Sequence, residues 1–199
     1  MKIAVLVEGA TEVAFKPTLH KFLKPRLEEK MPRLHFISQD GRIPKKDKLR
    51  RMVENLLNDH HDAVIALTDV YTGTGDFADA SDAKTKMRSW VGSNPKFYPH
   101  AAQHDFEAWL LPYWSTIQKL AKHNQAVPSG QPEQVNHNNP PSYRIKEIFE
   151  RGESRTYSKT RDAKSILEKN DLLVSAKACP ELKAFLNTIL SLCGGEIIV

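Results

Sequence analysis

Ile3-Ala4-Val5-Leu6-Val7-Glu8-Gly9-Ala10-Thr11-Glu12 sets five apolar residues directly against an acid, a glycine and a helix start. A continuous apolar run of this length, with two valines and an isoleucine, predicts a strand buried on both faces, as in a parallel sheet. Gly9 relaxes the turn, and Thr11 suits the N-cap of a following helix. That helix carries Phe15, Leu19, Phe22, Leu23 and Leu27 on one side, with Pro17 either kinking it or lying in its first turn.

The same alternation continues outward. Arg33–Ser38 predicts a second strand. Leu49, Met52, Val53, Leu56 and Leu57 fall at i, i+3, i+4, i+7 and i+8 and predict an amphipathic helix. Ala63–Thr68 is another buried-strand run, closed by Asp69. A helix over Ser81–Val91 and a fourth strand over Lys96–Ala102 follow, and then Phe106, Trp109 and Leu110 on a helix halted or bent at Pro112. The order β-α-β-α-β implies an α/β fold, a central parallel sheet flanked by helices. Residues 122–142 change texture to Pro, Asn, Gln, Ser and Gly, as in a long, flexible loop that at this length is either functional or disordered. Helical patterns return at Tyr143–Glu150, Asp162–Lys169 and Glu181–Leu192. The expected organisation is an α/β core at 1–121, the loop at 122–142, and a helical C-terminal extension at 143–199 packed on the core.

Composition bounds the class. The chain has 199 residues, 40% hydrophobic and 27% charged, which suits one globular domain and excludes wholesale disorder. Its apolar runs are too short to span a bilayer, and the single charge ahead of Ile3–Val7 is no secretory leader. Cys179 and Cys193 have neither metal-finger spacing nor a disulfide framework, so a reducing, cytoplasmic setting is expected. The net charge of +5 is unevenly spread: residues 61–110 hold 7 acidic against 4 basic side chains, between basic flanks. An acidic middle between basic segments is how a phosphodiester-cleaving enzyme is built, though chance variation on a mildly basic surface has the same look.

In parallel α/β sheets, ligands gather at the carboxyl ends of the strands. Glu8 and Asp69 stand there, one strand end each. Two such carboxylates can share a hard divalent cation, Mg²⁺ or Mn²⁺, that holds a scissile phosphate and activates water. The alternatives are a helix-dipole role for Glu8 and Glu12 and a turn role for Asp69. His104, Asp105 and Glu107 follow the fourth strand. They could lie at the same sheet edge, with Glu107 or Asp105 as a further carboxylate; His104 could serve as general acid or phosphate contact, and Asp105 could instead cap the helix. Glu107, flanked by apolar residues, would be costly to bury without purpose. Lys159, in the basic stretch Arg151–Arg161 with Arg155, could neutralise charge developing on a phosphorane-like transition state, or belong to a solvated loop. Arg42, Lys45, Lys46, Lys48, Arg50 and Arg51 form a second basic run, fit to track a phosphate backbone or to be a solvated helix face. There is no Walker A sequence and no Gly-x-Ser-x-Gly elbow, which argues against ATP hydrolysis or serine chemistry by this chain.

Val5-Leu6-Val7-Glu8-Gly9-Ala10-Thr11-Glu12, with Thr68-Asp69 after an apolar strand, resembles the TOPRIM fold of topoisomerases, DnaG-type primases and OLD-family nucleases. The resemblance implies that Glu8 is a metal ligand or proton-transfer group and that Asp69 is the first aspartate of an Asp-x-Asp motif. Tyr71 stands where the second aspartate belongs, and Asp76, two glycines further along, could fold back to replace it. Asp69–Phe77, His104–Leu111 and Tyr157-Ser158-Lys159-Thr160 strengthen a likeness to small stand-alone TOPRIM-like proteins often encoded beside ABC/SMC-type ATPases in prokaryotic defence islands. What the likeness implies is a metal-dependent nuclease acting on DNA or RNA as an anti-phage effector, partnered by an ATPase. Lys159 would match the lysine that OLD-type nucleases use downstream of the acids. The missing aspartate favours the alternative, a non-catalytic adaptor that binds nucleic acid or the ATPase. A homo-oligomer is compatible with either.

Overall fold

The computed structural model describes residues 1–71, 75–135, 139–152 and 155–199. Residues 72–74 of the Asp69–Phe77 motif, 136–138 of the 122–142 segment, and Glu153 and Ser154 of the basic stretch lie outside the described residues. Four strands, β1 (Lys2–Val7), β2 (Arg33–Ser38), β3 (Ala63–Asp69) and β4 (Phe97–Ala102), form one sheet in the order β2-β1-β3-β4. Every pairing is parallel, with Val5 opposite both Phe36 and Ile65, and Thr68 opposite Ala101.

Period-two alternation divides the strands between two apolar layers. Ile3, Val5, Val7, Ala63, Ile65 and Leu67 face α1 (Ala10–Leu27) and the C-terminal helices, while Ala4, Leu6, Val64 and Ala66 join Leu49 and Val53 of α2 (Asp47–Asn58) and Met87 of α3 (Ala80–Val91). Burial on both faces is why β1 and β3 read as unbroken apolar runs. β2, at the sheet edge, is only partly buried. α1 runs unbroken through Pro17 and Pro25, held by its buried Phe15, Leu19, Phe22, Leu23 and Leu27.

After β4 the chain departs from the expected α-helix. Phe106–Tyr113 is a 3-10 helix containing Pro112, and α4 (Trp114–Ala121) starts directly behind it. Pro112 has no N–H to donate, so the regular ladder begins only past it. The 3-10 segment places Trp109 at the centre of the larger core, between Phe15, Phe106 and Phe185 at ring distances of 6.4, 5.2 and 6.2 Å. α5 (Pro141–Arg151), α6 (Lys159–Glu168), α7 (Leu172–Ala178) and α8 (Pro180–Leu192) close the same core with Ile145, Phe149, Ile166, Leu172 and Leu186. α7 is the helix that sequence periodicity missed; seven residues are too few to establish a 3.6-residue pattern. Within the 122–142 segment, Glu133 and Val135 are buried, and Glu133 accepts hydrogen bonds from the Trp109 indole (3.0 Å) and the Glu181 backbone N–H (3.1 Å). Among the described residues no helix is long and apolar enough to cross a membrane.

Candidate active site

The sheet order turns back on itself between β1 and β3: from β1 the chain first builds outward to β2, then returns to the other side for β3. At such a reversal the connections leave in opposite directions and a crevice opens beyond the carboxyl ends of the two strands. Because Val7 pairs with Leu67, the next residues, Glu8 and Thr68-Asp69, meet across that crevice. One Glu8 carboxylate oxygen, Oε1, accepts the Thr68 hydroxyl and the Asp69 backbone N–H, the latter at 3.2 Å. Its backbone carbonyl accepts the N–H of Gly41 at 2.7 Å, which draws the loop after β2 to the same edge.

Three further acids converge here. Glu12, in the first turn of α1, accepts the Gly9 N–H through Oε2 at 3.1 Å and is buried. Asp105, after β4, stands at the N-cap position of the 3-10 helix but turns to α5 instead, where its Oδ2 accepts the Ser142 backbone N–H at 3.1 Å. Its Oδ1 is buried without a hydrogen-bond partner. Glu107 is 0% exposed; Oε1 accepts the Tyr157 hydroxyl at 3.4 Å and Oε2 the Lys159 ammonium at 3.3 Å. α6 thereby delivers a cation to buried Glu107 from a lysine whose own side chain is 53% exposed.

Electrostatics bind the five acids into one site. Loss of solvent pushes the Asp69 carboxyl well above the usual range, and the charges of Glu12, Asp105, Glu8 and Glu107 push it further. Burial raises Glu8 to about 7, against the hydrogen bond from Thr68 and with a further push from Glu12. Burial also raises Glu107 to about 7, with Asp105 adding to the shift and Lys159 opposing it. Desolvation pulls the Lys159 ammonium down, but Glu107, Asp69 and Asp105 outweigh it and hold the charge in place. Carboxyls poised near neutrality are suited to proton transfer or to exchanging protons for a cation.

The donor chemistry fits a hard divalent cation: oxygen ligands only, too much like charge for one lysine to balance, and a buried Asp105 oxygen left unpartnered. Among the described residues, however, no three His, Cys, Asp or Glu side chains are arranged as a closed ligand set.

Of the residues singled out from the sequence, the structure brings Glu8, Asp69, Glu107 and Lys159 together. Asp76 is elsewhere engaged: its Oδ2 meets the Lys45 ammonium at 2.5 Å and its carbonyl accepts the Lys86 ammonium at 2.8 Å. Tyr71 is 59% exposed. In the basic run, exposed Arg42 is close enough to Glu8 to lower its pKa, whereas Arg50 pairs with Asp47 at 3.0 Å and Lys46 lies exposed ahead of α2. Arg155 is drawn inward, paired with Asp162 at 3.0 Å and laid over the Phe149 ring at 4.6 Å. Glu12 is the acid that sequence reasoning left as a helix-start residue, although it lies one helical turn on from Glu8. Asp105 stood open between a cap and a further carboxylate because it follows β4, and its partner, Ser142, is 37 residues away.

The same fold occurs in the C-terminal region of the Burkholderia pseudomallei OLD protein, with a TM-score of 0.56 at 12% identity over 96% of this chain and 98% of that one. It occurs again in the C-terminal region of the Xanthomonas campestris pv. campestris OLD protein, with a TM-score of 0.52 at 14% identity over 96% of this chain and 95% of that one. These likenesses and the parallel four-stranded sheet bear out the TOPRIM-like α/β architecture expected from the sequence. No curated protein matches the chain. The span that does match a family model, residues 7–190, contains the whole acid site from Glu8 to Lys159, and the chain belongs to the family described as a domain of unknown function, DUF4276.

Proposed function

We propose that this protein is a metal-dependent phosphodiesterase acting on nucleic acid, a nuclease whose site is the acid crevice between β1 and β3. The observation that carries this reading is the meeting of five carboxylates with the ammonium of Lys159, 3.3 Å from Glu107, at the reversal point of the sheet. Glu8 and Asp69, with Glu12, Asp105 or Glu107 completing the set, would hold Mg²⁺ or Mn²⁺; when bound, that cation supplies Lewis-acid polarisation of the scissile phosphate. Glu8, raised to about 7, is suited to accept the proton of the attacking water. Lys159 is placed to neutralise charge on the phosphoryl oxygens as the bond to the leaving oxygen breaks. Arg42, close enough to lower the Glu8 pKa, can engage a flanking phosphate. An ATPase in trans and a role in anti-phage defence, both implied by the sequence resemblance, extend this reading.

The test is cleavage of DNA and RNA with Mg²⁺ or Mn²⁺ by wild type, Glu8→Ala and Asp69→Ala, with and without an ABC/SMC-type ATPase. Loss of cleavage in both variants is expected; equal cleavage by all three would remove this site. A second reading, a non-catalytic adaptor, is favoured by Tyr71 in place of a second aspartate and by the lack of a closed ligand set among the described residues. It predicts nucleic-acid or ATPase binding that persists in both variants, without cleavage.

A further inference from the structure

Among the described Phe, Tyr and Trp residues, two side chains stand exposed, Tyr71 at 59% and Tyr143 at 46%; the others are buried or half-buried. Both belong to segments anchored at the acid crevice. Tyr71 is two residues past Asp69, and its backbone N–H donates to the His104 carbonyl at 2.6 Å, immediately before Asp105. Tyr143 follows Ser142, whose N–H holds the Asp105 carboxylate, and its own N–H donates to Pro140 at 2.9 Å, fixing the first turn of α5. Each ring therefore projects from backbone pinned to the site, one from the end of β3 and the other from the start of α5. The cation of Arg144 lies 5.8 Å from the centre of the Tyr143 ring.

An exposed aromatic ring loses little by ordering and gains by burial against a flat partner, and every nucleobase has such a face once it is unpaired. In a duplex those faces are already stacked. We infer that Tyr71 and Tyr143 are stacking platforms that hold unpaired bases on either side of the acid crevice, so that the substrate is a single-stranded nucleic acid or a single-stranded stretch within one. This rests on the nucleic-acid reading above and narrows it. Tyr71 also gains a purpose: at the position of the missing second aspartate it contributes a base contact rather than a ligand.

The test separates binding from cleavage. Affinities of the full chain are measured by fluorescence anisotropy in Ca²⁺ for four labelled probes of equal length: oligothymidylate, oligouridylate, an abasic strand and a blunt duplex. Wild type should hold at least one of the first two about tenfold more tightly than the abasic strand, the usual effect of one stacked base. Tyr71→Ala and Tyr143→Ala should each lose most of that preference, and Tyr71→Phe and Tyr143→Phe should keep it. The preferred strand identifies DNA or RNA. Equal affinity of wild type for the abasic and base-bearing strands, or unchanged preference in both alanine variants, would overturn the inference. Cleavage in Mn²⁺ is scored in parallel. If cleavage survives without base preference, the nuclease stands and the platforms fall. Tyrosine-dependent base preference without cleavage supports the platforms and removes the nuclease.

Discussion

Two buried acid clusters meet opposite ends of the first turn of α6, and they are built on opposite principles. Asp162 lies in a cage of donors: Arg155 and Arg161 reach both carboxylate oxygens at 3.0–3.1 Å, and the Ser158 N–H adds a third contact at 2.7 Å. Burial pushes its carboxyl up, but these hydrogen bonds prevail and leave it below the ordinary range. Three residues earlier, Lys159 faces Glu107 in a crevice shared with four other acids, and there the carboxyls rise. A cluster whose charges are answered within the fold is an anchor. One whose charges are left in excess is a site prepared for a cation, protons or a polar ligand.

The largest effect that would break this contrast is on turnover. Asp69→Ala and Glu8→Ala should lower the rate of phosphodiester cleavage by about 10²–10⁴-fold, the usual range for a positioned acid–base group, in single-turnover assays. Asp162→Asn, expressed to the same level, should stay within a few-fold of wild type.

Next comes the pH dependence of stability. Glu107 has an ordinary value of 4.5 and is raised to about 7 in the fold. Between these values the folded state binds more protons than the unfolded one. The contribution of Glu107 to stability is therefore complete below pH 4.5 and is lost as pH rises through 7. Glu107→Gln should flatten that fall and add roughly 2–3 kcal/mol at pH 8 in urea unfolding while impairing cleavage. An unchanged pH slope would show that Lys159 already balances the acid.

Divalent cation binding gives a third measure. At Mg²⁺ or Mn²⁺ concentrations near 100 times the dissociation constant, linkage raises stability by about 2.7 kcal/mol, and EDTA reverses it. The increase should vanish in Asp69→Ala and persist in Asp162→Asn. The smallest change is that of Asp162→Asn itself, about 1–2 kcal/mol of lost stability, because the two arginines freed are partly solvent-exposed and can rehydrate. A loss confined to acid conditions would be inconsistent with an anchor that is ionised and in place at neutral pH.

Much of the fold was legible in the chain. β2 has its predicted ends, and β1, β3 and β4 differ from prediction by one residue; β1 and β3 were plainest, because a strand buried on both faces must be apolar throughout. The irregular stretch was harder to read. Phe106–Tyr113 has helical spacing but takes the 3-10 form around Pro112, and α7 is too short for its periodicity to show. Within the site, Glu8 and Asp69 were visible as acids ending apolar runs. Glu12 was not, and Asp105 stood open between cap and further carboxylate, since acids at helix starts have an ordinary local explanation.

The sequence by itself determined which segments are strands, that the sheet is parallel, and therefore that acids at strand ends would lie along one edge. The tertiary structure decided which acids share a crevice and which are answered by arginine. That choice depends on strand order, on a lysine carried in on α6 from 52 residues beyond Glu107, and on desolvation by the helices packed around the crevice. Charge alone is local in the chain, but the balance of charge is a property of what the fold brings within a few ångströms.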